Sequence, residues 1–231
     1  MRAVLKIGGS LLYDSSGKIL AERLKNYARI IADLVREGHR IVVVVGGGRP
    51  ARDFISAARE LGADEVQCDW LGIKMARHNA ELLISALGEV AYPSVPESME
   101  ELEKAVCLGR VVVMGGLTPG QSTNAVAALA AEVTRAEKLF NATNVDGVFD
   151  RDPKEAGAKK LDTVDMRELE RILAGSGVRA GEYKLFDPVA IRVVARSKIV
   201  TVIFNGTDPE NIRRAFKGKS VGSVIVHGQE G

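Results

Sequence analysis

Residues 40–48 read Arg-Ile-Val-Val-Val-Val-Gly-Gly-Gly. Ile41 to Val45 is an unbroken β-branched run, the composition of a strand covered on both faces. It stops abruptly on Gly46-Gly47-Gly48. The pattern recurs at Leu5-Lys6-Ile7, which runs into Gly8-Gly9-Ser10, and at Val111 to Met114, which runs into Gly115-Gly116. A buried strand ending on glycines leaves bare N–H groups at the sheet edge, and with a helix starting behind them such groups bind phosphate. A Cβ would block both turns with positive φ and the close approach of an anion. Three such loops at the carboxyl ends of strands in one sheet imply a crevice that holds several phosphates at once.

Working outward, Leu20, Leu24, Tyr27, Ile31 and Leu34 form the stripe of an amphipathic helix ended by Gly38. Pro50 sits at the start of a helix running to about Leu61, and a further helix is expected over Asp69 to Leu87. A short strand near Val90 to Tyr92 and a helix near Ser98 to Val106 precede the third glycine-tipped strand. After a loop around Pro119-Gly120, Ser122 or Thr123 caps an alanine-rich helix. Lys138 to Thr143 is a strand, and Asn144 to Pro153 is a long turn or hairpin. Helices near Asp165 to Leu173, Pro188 to Arg196 and Pro209 to Lys217 alternate with a strand at Ile199 to Phe204 and an edge strand at Gly222 to Val226. This alternation predicts an α/β fold, a three-layer αβα sandwich around a mostly parallel sheet. Residues 1–231 are expected to form one domain, with lobes 1–135 and 136–231.

Composition narrows the function classes. The 231 residues include 32 basic and 30 acidic side chains, a formal charge of +2, which supplies no basic field for nucleic acid. The longest apolar runs, such as Ala125 to Ala131, are too short to span a bilayer, and Lys6 interrupts any signal-like apolar stretch. Cys68 and Cys107 have no metal spacing and read as small hydrophobes in a reducing cytoplasm. His39, His78 and His227 likewise have no metal spacing. Gly218-Lys219-Ser220 fails the P-loop pattern because Arg213 stands where its first glycine belongs. Gly46 to Ala51 fits only the looser form of the dinucleotide fingerprint, and the next strand is too poorly defined to carry a ribose-binding acid.

Lys6-Ile7-Gly8-Gly9-Ser10, the glycine triplet followed by Arg52, and Thr143-Asn144-Val145-Asp146-Gly147-Val148-Phe149 with Asp152-Pro153 together resemble the amino acid kinase superfamily. Within it they are similar to the archaeal type of uridylate (UMP) kinases. Met114-Gly115-Gly116 followed by Pro119 to Thr123 resembles the UMP-binding loop of that family. The resemblance runs from Lys6 to the last strand. It implies phosphoryl transfer from ATP, with Mg²⁺, to UMP in pyrimidine biosynthesis, by a cytoplasmic homo-oligomer, typically a hexamer.

The resemblance also distributes roles. Lys6 would reach the transferring group while Gly9 and Ser10 supply backbone donors. Gly47 would face the acceptor phosphate and Gly48 the ATP, with the planar fork of Arg52 clamping phosphate oxygens. Asp69 matches the acceptor-ribose ligand, although it reads equally as a helix N-cap before Trp70. Leu117, Thr118, Pro119, Gly120, Gln121, Ser122 and Thr123 would wrap the uracil and sugar. Thr143, Asn144, Phe149 and Asp152 match ATP-binding positions, Phe149 packing on adenine. Asn124 stands where many relatives carry aspartate, and Asp187 matches the family's second site aspartate. Lys184 reads either as a second phosphate-neutralising cation or as an exposed loop lysine. Isopentenyl phosphate kinases would carry a histidine after the glycine triplet, where Arg49-Pro50-Ala51-Arg52 stands instead. The 119–123 loop does not look like the α-carboxylate site of an acetylglutamate kinase. A non-catalytic nucleotide or anion sensor on the same fold remains the third alternative.

Overall fold

Side chains alternate across a strand, so each strand residue is assigned to one face by position. The computed structural model of the chain describes residues 1–151, 155, 157–175 and 186–227. In β1 (Arg2–Ile7), Ala3, Leu5 and Ile7 join one buried cluster and Val4 the opposite one. β2 (Arg40–Val45) divides the same way, with Ile41, Val43 and Val45 against Val42 and Val44. Helices α1 (Ala21–Arg36), α3 (Glu65–Leu87) and α8 (Glu210–Phe216) cover the first face. The second is covered by α4 (Met99–Val106), α5 (Thr123–Val133), α6 (Met166–Gly175) and α7 (Pro188–Ser197). The result is the three-layer αβα sandwich expected from the alternation. Helix α2 (Gly48–Glu60) lies outside these layers against α3 and buries little besides Ala51.

The remaining strands of the main sheet are β3 (Val112–Met114), β4 (Lys138–Thr143), β7 (Thr163–Asp165), β8 (Val200–Asn205) and β9 (Gly222–Val226). Their order is β3-β2-β1-β4-β8-β9-β7. From β3 to β8 the strands are parallel, whereas β9 is antiparallel to β8 and parallel to β7. A separate antiparallel ribbon pairs β5 (Val148–Phe149) with β6 (Lys160–Leu161).

Four local expectations are corrected. The strand Gly222–Val226 is internal, and the edge belongs to β7. Gly222 permits this, because a Cβ there would lie 2.0 Å from the Ile203 carbonyl oxygen. Helix α3 begins at Glu65, four residues earlier than expected, because Asp64 and Gln67 form a capping box at its start. Asp69 is therefore inside the helix and is not its cap. Val90–Tyr92 is not a strand but a 3-10 turn followed by one bridge, Ala91 to Val111. Pro93, lacking an N–H, cannot extend that bridge into a ladder. Cys68 is buried as expected, while Cys107 at the end of α4 is exposed.

Register brings the carboxyl ends of the parallel strands to one height. Ile7 pairs with both Val45 and Ala142, Val44 with Met114, and Thr143 with Asn205. The first two glycine loops then meet backbone to backbone. A Cβ on Gly9 would lie 2.1 Å from the Gly48 nitrogen and 2.5 Å from the Gly46 oxygen. Gly48 itself takes φ +73°, open to glycine at little steric expense. Gly9→Ala is expected to destabilise the protein by at least about 2 kcal/mol, as overpacking against backbone does. A urea-unfolding midpoint equal to wild type would show instead that the loops separate freely.

Candidate active site

β1 connects to β2 on one side and β4 leads to β8 on the other, so the strand order reverses between β1 and β4. Such a reversal opens a crevice at the carboxyl ends of the strands. Lys6 stands at that point, paired across the sheet with Val44 and Asn141. It faces the α5 side, the same side as Val4. Asn141 shares this side and donates to Asn124 Oδ1 at 3.4 Å from β4 to the first turn of α5. Among the described residues, Lys6 has no ion-pair partner. Burial holds its ammonium pKa down at about 8, although part of the residue remains accessible. A desolvated, unpaired amine at the switch point is stabilised by whatever anion enters.

The second and third glycine loops enclose a cavity of about 170 Å³. Gly47, Gly48, Asp69, Gly116, Ser122 and Thr123 are among its walls. Gly115 and Gly116 are needed for contact with α3: a Cβ on Gly115 would lie 2.5 Å from the Arg77 nitrogen, and one on Gly116 3.0 Å from Ile73. Here the glycines serve approach of protein backbone rather than of a ligand alone. Asp69, half-buried on α3, accepts the Gly120 N–H at 2.7 Å and so fastens the third loop to the cavity wall. Arg77 does the same from one turn pair further along: its guanidinium donates to the carbonyls of Gly116 at 3.0 Å and Leu117 at 3.2 Å, and pairs with Glu97. The Leu117 side chain is buried in the core, so only its backbone faces the loop. Thr118 and Gly120 are exposed, and Pro119, Gln121 and Thr123 are half-buried. Arg52 is fully on the surface of α2 and, among the described residues, has no hydrogen-bond or ion-pair partner.

Ser122 rather than Thr123 caps α5, accepting from the Asn124 and Ala125 nitrogens. Its hydroxyl donates to Asp187 Oδ2. Asp187 in turn caps α7, its Oδ1 accepting from Val189 N at 2.8 Å and Ala190 N at 3.1 Å. One carboxylate thus ties two helix N-termini together beside the crevice.

On the far side of β1, Thr143 and Asn144 end β4, with the Thr143 hydroxyl 3.4 Å from Asn144 Oδ1. Phe149, half-buried, sits on β5. The ribbon that carries it is held by Ser223, which accepts from Val148 N at 2.8 Å and donates to the Leu161 carbonyl. Asp152 and Lys184 lie outside the described residues. The structure therefore gathers Lys6, Gly9, Gly47, Gly48, Asp69 and the 116–123 loop around one crevice, and leaves Arg52 on its outer rim. Sequence reading missed Arg77 and Ser223. A cation one turn from the buried stripe of α3, and a serine in an apolar final strand, were the only signals.

A mostly parallel αβα sandwich with glycine loops, and at its switch point a lysine without an ion-pair partner among the described residues, defines a phosphate-handling α/β protein. The model of the Amino acid kinase family matches residues 1–205, and the chain belongs to that family. A uridylate kinase of Methanothermobacter thermautotrophicus is 47% identical over 227 residues, 98% of this chain and 99% of the relative. One from Sulfolobus acidocaldarius is 43% identical over 229 residues, again 98% and 99%. The crystal structure of uridylate kinase from Archaeoglobus fulgidus matches with a TM-score of 0.87 at 44% identity, covering 98% of this chain and all 100% of that one.

Lys6 sets a pH test of this site. Its folded pKa of about 8 lies below the 10.5 of a free lysine, so the unfolded chain binds more protons between those values. Stability of the ligand-free protein therefore rises with pH across that window. At pH 7, Lys6→Met is expected to be more stable than wild type by about 1–2 kcal/mol, the full linkage value being reduced by partial solvent access. The gap should narrow as pH climbs from 8 toward 10.5. A pH-independent difference between the two would mean that Lys6 is not desolvated.

Proposed function

We propose that the protein is a uridylate kinase that transfers the γ-phosphate of ATP to UMP, giving UDP and ADP and supplying pyrimidine nucleotides. The observation that carries the reading is the cavity between the second and third glycine loops, with Asp69 on its wall and Lys6 at the neighbouring switch point. Near-full-length likeness to uridylate kinases supports it. Residues 1–135 serve as the acceptor lobe and 136–231 as the ATP lobe.

Phosphoryl transfer needs alignment and charge neutralisation more than covalent chemistry. Lys6 meets the moving phosphoryl group and offsets the charge on its equatorial oxygens. Gly9 and Ser10 add donors on the ATP side, and Gly47 and Gly48, at the uncapped start of α2, supply donors between the two substrates. Arg52 folds in from the rim onto phosphate oxygens. Asp69 accepts from the acceptor ribose, while 117–123 surround the uracil. Thr143, Asn144, Phe149 and Asp152 receive the adenosine of ATP. Asp187 organises the crevice through Ser122 and the N-terminus of α7. Asn124 stands beside it in the first turn of α5 as a neutral amide.

Magnesium would arrive on ATP and supply positive charge to its phosphates. The described residues contain no group of three or more His, Cys, Asp or Glu suited to a metal. We place the enzyme in the cytoplasm. Among the described residues no helix is long and apolar enough to cross a membrane. We also infer a homo-oligomer, a hexamer by family resemblance. The exposed Phe54, Leu61, Val66 and Trp70 on and between α2 and α3 supply apolar surface for self-association.

The test is a coupled ADP-release assay across UMP, CMP, dUMP, AMP, isopentenyl phosphate and acetylglutamate. UMP is expected to give the highest kcat/KM; equal turnover of another acceptor defeats the assignment. Binding of ATP or UMP without turnover would instead support a sensor. Lys6→Ala should cut kcat by at least about a hundredfold, the scale of losing one transition-state donor. Wild-type turnover in that variant would remove Lys6 from the mechanism.

A further inference from the structure

Helix α3 buries an apolar stripe through Ile73, Ala76, Ala80, Leu83 and Leu87, and one amide, Asn79, stands within it, 1% exposed. A buried amide is costly unless its donors and acceptor are satisfied. Asn79 meets that requirement through the second glycine loop. Its Nδ2 donates to the carbonyl of Gly46 at 2.8 Å and to that of Gly47 at 3.2 Å. Its Oδ1 accepts the hydroxyl of Tyr13 at 2.5 Å. Two carbonyls can only accept, so the amide nitrogen must face them and the oxygen must face the tyrosine.

We propose that Asn79, braced by Tyr13, is the positioning residue that sets the direction of the phosphate-binding N–H groups of the second glycine loop. In a planar trans peptide the carbonyl and the following N–H point in opposite directions. Drawing the Gly46 and Gly47 carbonyls toward α3 therefore turns the Gly47 and Gly48 N–H groups away from it. Among the described residues those two N–H groups have no acceptor, and both glycines line the cavity. Glycine has few steric preferences of its own, so a run of three cannot hold one peptide orientation without outside restraint. Tyr13 contributes twice: it orients the amide, and its ring lies where a Cβ on Gly48 would come within 3.0 Å of Cδ2. Its own hydroxyl is kept protonated, burial raising its pKa, so it remains a donor. This role rests on the uridylate kinase reading for its kinetic expression, though not for its geometry.

Asn79→Asp keeps the shape but turns an oxygen toward two carbonyls. With UMP and ATP, its kcat/KM is expected to fall at least tenfold, while circular dichroism and a cooperative melt show folded protein. Tyr13→Phe leaves the Asn79 donors in place and should cost about two- to fivefold, with near-native melting. Isothermal titration with a non-hydrolysable ATP analogue is expected to show at least tenfold weaker binding to Asn79→Asp than to wild type. That readout needs no turnover. Loss of activity only in proportion to unfolded protein, or wild-type kinetics and binding in both variants, would overturn the role. Should Asn79→Asp fail to fold, wild-type kinetics and binding in Tyr13→Phe overturns it alone. Absence of UMP turnover in the wild type would defeat the uridylate kinase reading, with the analogue titration still deciding Asn79.

Discussion

Gly9 and Gly46–Gly48 touch through their backbones, and that contact fixes how close the ends of β1 and β2 can be. A single methyl at Gly9 would occupy the space of the Gly48 nitrogen. Two neighbouring parallel strands already sit under five ångströms apart, so their terminal loops can stay in line only if neither carries a side chain. With the loops pressed together, the start of α2 lies against the glycine loop that follows β1, two peptides beyond the strand that carries Lys6. An anion placed there is met from the sheet and from the helix dipole at once.

The glycine clusters read in sequence as phosphate loops, and in the structure glycines also serve an end that a linear reading hides. Gly115 and Gly116 let the loop after β3 run against the backbone of α3, and Gly222 lets β9 pair closely beside β8. Clearance for a ligand and clearance for a neighbouring segment leave the same mark in sequence. The parallel half of the sheet was readable because its strands are continuous apolar runs. β7, with Thr163, Val164 and Asp165, was not, since only its central residue is buried and the run reads as polar loop. Asp69 and Asp64 show the same ambiguity at a helix start: both are acids near the start of the apolar stripe, and the Gln67 partner three positions after Asp64 distinguishes the true cap.

Asp187 illustrates how a residue matched to a site by resemblance acquires a physical account. Its two oxygens are spread over the N-terminus of α7 and the hydroxyl that caps α5. One side chain thereby satisfies donors at the start of both helices. The carboxylate is held at a fixed position, with α5 and α7 tied together at their N-termini.

Ser223 gives the chain an order of assembly. It is fully buried on β9 and carries two hydrogen bonds to the ribbon with Phe149, one to each strand. Synthesis proceeds from the N-terminus, so the strands up to β4 and the loops around Lys6 emerge long before residue 223 does. Until β9 inserts beside β8, the ribbon lacks the two bonds that Ser223 supplies. A nascent chain can thus complete the strands up to β4 early while the ribbon that carries Phe149 still lacks its seat on β9. β9 acts as the latch that fastens a ribbon made much earlier to the finished sheet.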